Sequence, residues 1–169
     1  MNDSGLIGQA RALLDLCRRK KLTIATAESC TGGLVAAALT EIPGSSDVFE
    51  RGFVTYSNAA KEAMLGVPAA TLATFGAVSR EAAEAMALGA LAHSPADLAV
   101  AVTGIAGPGG ATPGKPVGLV HLAAAARGGR VLMEEQRFGD IGRAEVRLAS
   151  VERALAMLQE LANSEWRIV

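Results

Sequence analysis

Three short stretches carry residues suited to chemistry: Ala27–Gly33 (AESCTGG), Phe53–Lys61 (FVTYSNAAK) and Thr103–Gly110 (TGIAGPGG). Ser29 stands where an apolar strand would hand over to a helix. A serine hydroxyl attacks a carbonyl well only when a base takes its proton. Backbone N–H groups at such a turn suit a developing oxyanion. Gly32 and Gly33 remove side-chain bulk there, so a substrate can approach the backbone. Each glycine also costs a helix about 1 kcal/mol relative to alanine, so the pair needs a reason. On this segment alone a second reading stays open, with Ser29 or Thr31 as a helix N-cap and the glycines serving close helix–sheet packing.

His93 and His121 are the only histidines. Each has a ready structural reading, so a Ser-His-Asp triad is poorly supplied. Lys61 is the alternative base. It must lose its proton near neutral pH against a reference value near 10.4, which requires burial or a neighbouring positive charge. Tyr56 is the chain's one tyrosine, and its hydroxyl is placed to relay a proton between Ser29 and Lys61. The competing reading has Lys61 in solvent and Tyr56 half-buried at a strand edge. Cys30 is a rival nucleophile, but no histidine lies near it in sequence, and a small buried thiol is the plainer role.

The TGIAGPGG stretch holds four glycines. Their free N–H groups can face outward as a nest for an anion. It lacks the Gly-Lys-Ser/Thr ending of a triphosphate-binding loop and the Gly-x-Gly-x-x-Gly of a dinucleotide fold. A flexible connector is the competing role. Arg143 and Arg147 form an i,i+4 pair at the start of a predicted helix, where cations oppose the helix dipole. An anionic ligand would relieve that conflict, and surface solvation and Glu145 would also soften it.

These stretches must be held by regular elements. Helical spacing covers about Leu6–Lys20, with apolar positions Leu6, Ala10, Leu13, Leu14 and Cys17. A buried strand is expected at Leu22–Ala27 and a helix from about Thr31 to Thr40. A strand follows at Val48–Tyr56, then a short helix Asn58–Leu65 with Ser57 as N-cap. Ala69–Thr74 gives a helical turn or two, and Ser79 opens a helix ending near His93. Asp97–Thr103 is a second buried strand. Pro116–Ala126 and Arg130–Phe138 form a hairpin about Gly128-Gly129. The last helix is expected over about Arg143–Leu161, with an apolar stripe at Ala144, Leu148, Val151, Leu155, Leu158 and Ala162. Residues Asn163–Val169 read as a tail. The order α-β-α-β-α-α-β-β-β-α points to an α/β fold, a mixed β-sheet covered by helices.

The 169 residues suit a single domain, 1–169, with half its residues apolar and a formal net charge of -1. Both signs are dispersed, so there is no basic footprint for nucleic acid or an acidic membrane. No apolar run is long enough to span a bilayer, and the N-terminus lacks the pattern of a secretory signal. Two cysteines make no disulfide framework, and no paired Cys/His spacing suggests zinc. These features predict a cytoplasmic protein. The alanine-rich helices suit self-association, so a homo-oligomer is expected.

Taken together, TIATAESCTGGL, GSSDVFERGFVTYSNAAKEAMLGV, GAVS, DLAVAVTGIAGPGG, KPVGLV and RFGDIGR resemble the CinA family in its C-terminal domain type. That domain is also found standing alone as nicotinamide-nucleotide amidohydrolase (PncC). The resemblance covers about Leu6 to Leu161. It implies deamidation of nicotinamide mononucleotide to nicotinic acid mononucleotide and ammonia, with no metal and no cofactor. It places the nucleophile at Ser29 and its tyrosine and lysine at Tyr56 and Lys61. It puts substrate binding at Thr103, Gly104, Gly107, Gly109 and Arg143, with the turn residues Cys30, Thr31 and Gly32. Family members with a further N-terminal domain have a second, pyrophosphatase-linked activity, which this chain is expected to lack. The alternative function is a non-catalytic nucleotide- or partner-binding module.

Overall fold

A computed structural model describes residues 4–164. Its centre is one five-stranded sheet in the order β2-β1-β3-β4-β5. The strands are β1 (Ile24–Glu28), β2 (Phe49–Val54), β3 (Leu98–Gly104), β4 (Leu119–Ala126) and β5 (Val131–Arg137). β1 pairs in parallel with both β2 and β3, while β3, β4 and β5 form an antiparallel run. The sheet is therefore mixed, as the alternation of early elements and the late hairpin predict.

Six α-helices cover it: α1 (Ser4–Lys20), α2 (Leu34–Thr40), α3 (Asn58–Leu65), α4 (Ala69–Phe75), α5 (Arg80–Ala92) and α6 (Arg143–Asn163). One 3-10 turn, Ser45–Asp47, lies between α2 and β2. Ile24, Leu98, Val100, Val120 and Leu122 pack beneath α1, α2 and α6. On the opposite face Ala25, Ala27, Ala99, Ala101, Ala123 and Ala125 meet α5 and its neighbours. Alanine on that face brings helix and sheet close together, and Gly89 of α5 leaves room for the backbone of Leu65.

Several sequence expectations shift at their ends. Thr31–Gly33 is not helical, because Gly32 and Gly33 take φ of 55° and 105° and α2 begins only at Leu34. Positive φ is incompatible with a right-handed helix. Tyr56 lies beyond β2, which ends at Val54. The expected stripe of α6 is partly displaced: Ala144 is exposed and Leu148 half-buried, and burial starts at Val146 and runs through Ser150, Val151, Ala154 and Leu155. The cause is that the first turns of α6 carry Arg143 and Arg147 against the site loops. The helix also continues to Asn163, into the segment read as a tail, and residues 165–169 lie outside the described ones. No helix among the described residues is long and apolar enough to cross a membrane.

The arrangement that matters for function is the parallel trio. Because β1, β2 and β3 run the same way, their C-terminal ends lie on one edge of the sheet. AESCTGG, TYSN and GIAGPGG all leave from that edge, where ligand crevices of open α/β sheets form.

Candidate active site

β1 sends successive side chains to opposite faces. Ala25 and Ala27 face α5, while Glu28 turns to the other side and meets α2. Ser29 returns to the first face, its N–H extending the ladder to Val102 O at 2.9 Å. On that face it meets α3. Ser57 caps this helix by accepting from the Ala60 N–H at 3.0 Å, and the helix brings Lys61 inward. Lys61 is 1 % exposed, so the reading that left it in solvent is overturned.

Lys61 Nζ lies 3.0 Å from Ser29 Oγ, 3.0 Å from Thr55 O and 3.2 Å from Tyr56 O. Carbonyl oxygens only accept. They take two protons of the amine and turn its third tetrahedral position toward Ser29. On a neutral amine that position holds the lone pair. Burial pushes the Lys61 pKa below its ordinary value of 10.5, with the nearby Cys30 thiol group acting the other way. Lys61 has no ion pair among the described residues. Proximity and a depressed pKa are what a lysine base needs.

The turn around Ser29 is tied down from both sides. Glu28, buried, accepts from Thr31 Oγ1 at 2.7 Å and from the N–H groups of Val35 at 2.8 Å and Ala36 at 3.1 Å. A carboxylate at a helix N-terminus satisfies donors that have no partner within the helix. Those α2 donors are therefore occupied by the protein itself. Arg147 donates Nε to Cys30 O at 3.1 Å and Nη2 to Thr31 O at 3.2 Å. Neither role was read from the sequence. Glu28 lies within the AESCTGG stretch, and the dipole conflict at Arg143 and Arg147 suggests an anion, solvent or Glu145 as partner, whereas the Arg147 N–H groups hold this turn.

Tyr56 is 62 % exposed. Its hydroxyl accepts from Arg143 Nη2 at 3.0 Å, while its carbonyl accepts from Lys61. The relay expected of the Tyr56 hydroxyl therefore has no hydrogen bond behind it, because Lys61 reaches Ser29 directly. Arg143 also donates Nη1 to Gly107 O at 2.8 Å, bridging β2's exit to the glycine loop. Thr103 Oγ1 donates to Ala77 O at 2.7 Å and fixes the segment before α5.

These groups surround an open cavity of about 300 Å³. Of the residues singled out from the sequence, Ser29, Cys30, Tyr56, Lys61, Thr103, Gly104, Gly107, Gly109 and Arg143 line it. Thr31 and Gly32 do not: Thr31 is buried against Glu28, and Gly32 lies beside Arg147. Asn58, Ala77, Val78, Ile105 and Ala106 line it as well. The GAVS motif held the signal for Ala77 and Val78, and YSNAAK held that for Asn58. The backbone N–H groups of Ala106, Gly107, Gly109 and Gly110 have no hydrogen bond among the described residues, as an anion nest requires. Cys30 lines the cavity but burial pushes its thiol up to about 11. No group of three or more His, Cys, Asp or Glu among the described residues is placed to hold a metal ion.

Residues 8–162 match the family model of the CinA C-terminal domain. A "CinA-like protein" of Chlorobium phaeovibrioides is 60% identical over 115 residues, which are 68% of this chain and 27% of that protein. A "nicotinamide-nucleotide amidohydrolase PncC" of Enterobacter agglomerans is 56% identical over 115 residues, 68% of this chain and 70% of that protein. The crystal structure of competence/damage inducible protein CihA from Agrobacterium tumefaciens superposes with a TM-score of 0.94 at 58% identity, covering 97% of this chain and 99% of that one. The chain spans about a third of the length of several curated relatives, 27% of the Chlorobium protein and 35% of one from Akkermansia muciniphila.

Proposed function

The chain belongs to the family of CinA C-terminal domains, and from that premise we propose that it is a serine amidohydrolase acting on nicotinamide mononucleotide. The observation that carries the reading is the 3.0 Å contact between Lys61 Nζ and Ser29 Oγ, with two carbonyls orienting the amine. The PncC relative's name supports the choice of substrate.

Neutral Lys61 takes the Ser29 proton as Oγ attacks the carboxamide carbon. The resulting ammonium gives that proton to the departing nitrogen, which leaves as ammonia. An ester to Ser29 remains. Water then attacks it, Lys61 takes the water's proton, and Oγ leaves with that proton as the acid product forms. Backbone N–H groups facing the cavity serve the oxyanion. Arg143 and the unpaired amides of the Ala106–Gly110 segment suit the substrate's phosphate, one giving charge and the others directed donors. No metal or cofactor takes part in this scheme.

The test is ammonia release from nicotinamide mononucleotide and from free nicotinamide. The wild type should turn over the mononucleotide, and Ser29→Ala should bind it without releasing ammonia. Full activity in Ser29→Ala would remove Ser29 from the mechanism. Binding by the wild type without any turnover would favour a non-catalytic nucleotide-binding module.

A further inference from the structure

The polar side chains of the cavity are nearly all engaged with the protein itself. Ser29 and Lys61 hold each other. Tyr56 and Arg143 are joined, Arg143 is also held by Gly107, and Thr103 is fixed on Ala77. Asn58 is different. It lines the same cavity, and its carboxamide has no hydrogen bond among the described residues. It sits at the first position of α3, three residues before Lys61. Residues three apart share one face of a helix. Asn58 is exposed, and its backbone lies one helical turn before that of Lys61, whose buried amine contacts Ser29.

The geometry points to Asn58 as the specificity-determining residue that distinguishes a primary carboxamide from a carboxylate, resting on the amidohydrolase reading above. An Asn side chain offers an N–H donor and a C=O acceptor side by side. A substrate carboxamide offers the complementary pair, so two hydrogen bonds form together. The acid product has two oxygens that only accept. It can take one bond from the Asn58 amide, but its second oxygen then faces the Asn58 carbonyl. The residue thus favours the amide that enters over the acid that leaves. A ribose hydroxyl or a phosphate, by contrast, is the same in substrate and product and would give Asn58 no part in telling them apart.

The experiment measures binding without turnover. Full-length protein carrying Ser29→Ala is titrated with nicotinamide mononucleotide and with nicotinic acid mononucleotide, and the same is done with Asn58→Ala and Asn58→Asp added. Asn58→Ala should weaken the amide about five- to tenfold, as loss of one or two hydrogen bonds does, while the acid changes less than about twofold on the same scale. Asn58→Asp keeps an acceptor for the amide's N–H but repels the product carboxylate, so the amide-to-acid preference should match or exceed that of the parent. A loss of local structure would weaken both ligands together and leave the ratio unchanged. An unchanged ratio in Asn58→Ala, equal affinities in the parent, or no binding of either ligand overturns the proposal. Preference for the amide that depends on Asn58, in a wild-type protein that releases no ammonia, would uphold the proposal and sink only the catalytic reading.

Discussion

Ser29 Oγ and Lys61 Nζ are 3.0 Å apart although 32 positions separate them in sequence. The contact exists because Ser29 follows β1 on the face where α3 and α5 pack, and because α3 buries Lys61 there. Its protonation decides what it can do. The ammonium form donates to Ser29 Oγ and holds its proton in place, while the neutral amine accepts that proton. Burial lowers the Lys61 pKa from 10.5, so the base becomes available below the range of an ordinary lysine. Ammonia release, measured as kcat, should rise with pH through the depressed Lys61 value and then level off. Lys61→Met should lose about 10²- to 10⁴-fold in kcat, the usual worth of a general base, and its residual rate should lack this rise. A wild-type profile that is flat across neutral and alkaline pH would remove Lys61 as the base.

The same shift has a thermodynamic sign. The folded-state pKa of Lys61 is the lower one, so between it and 10.5 the unfolded chain binds more protons. Stability therefore rises with pH across that window, and below it the full cost of holding a buried ammonium is present. Thermal unfolding of the wild type and Lys61→Met should be compared from neutral to alkaline pH. The wild type should gain Tm relative to the variant as pH rises. A difference that stays constant or moves the other way contradicts a depressed Lys61.

Cys30 adjoins Ser29 and lines the cavity. Its thiol is raised to about 11, chiefly by burial, so thiolate is scarce at neutral pH and nucleophilicity falls with it. Cys30→Ala should retain ammonia release within about threefold, since a small buried thiol acts here as an apolar residue. Selective loss of kcat in a folded Cys30→Ala protein would make the thiol the nucleophile instead.

Much of this arrangement was legible in the sequence. Helical spacing and Ser57 gave α3 its observed limits, Asn58–Leu65, and the apolar runs gave the two central strands. That made Ser29 and the glycine loop neighbours at one sheet edge. What was hidden is mostly direction. Periodicity identifies a strand but does not say which face Glu28 takes, and that face decides whether its carboxylate meets α2 or the cavity. Tyr56 was legible as a site residue, while the partner of its hydroxyl depends on where α6 begins over the loops. Thr31–Gly33 read as helix because propensity is local, whereas the positive φ of both glycines is set by the tight turn.

Arg147 does not line the cavity; its guanidinium spans Cys30 O and Thr31 O. It fixes the turn that presents Ser29, and under the proposed mechanism it acts as a positioning residue. Removing it should lower kcat with little change in KM, because substrate contacts stay in place. Arg147→Ala should lose about tenfold or more in kcat, as displacement of a nucleophile by a fraction of an ångström does. Arg147→Lys reaches one carbonyl at a time and should recover part of that loss. An equal change in kcat and KM, or full activity in Arg147→Ala, would contradict this role.

α3, which carries Lys61, packs against α5. Gly89 of α5 faces the C-terminal end of α3, and a Cβ there would come within 2.1 Å of Leu65 O and 3.0 Å of Leu65 C. Backbone atoms cannot yield as a flexible side chain can, so Gly89→Ala must separate α5 from α3. Leu65 is one turn beyond Lys61 on the same helix, so Lys61 should move with it. Gly8 of α1 has nothing within 4 Å of the same added atom. Helix propensity favours alanine by about 1 kcal/mol at both positions. Gly8→Ala should therefore raise Tm and leave kcat alone, whereas Gly89→Ala should lower Tm and cost about ten- to a hundredfold in kcat. Equal gains in Tm at the two positions, with activity intact, would show that the α3–α5 contact does not hold the base in place.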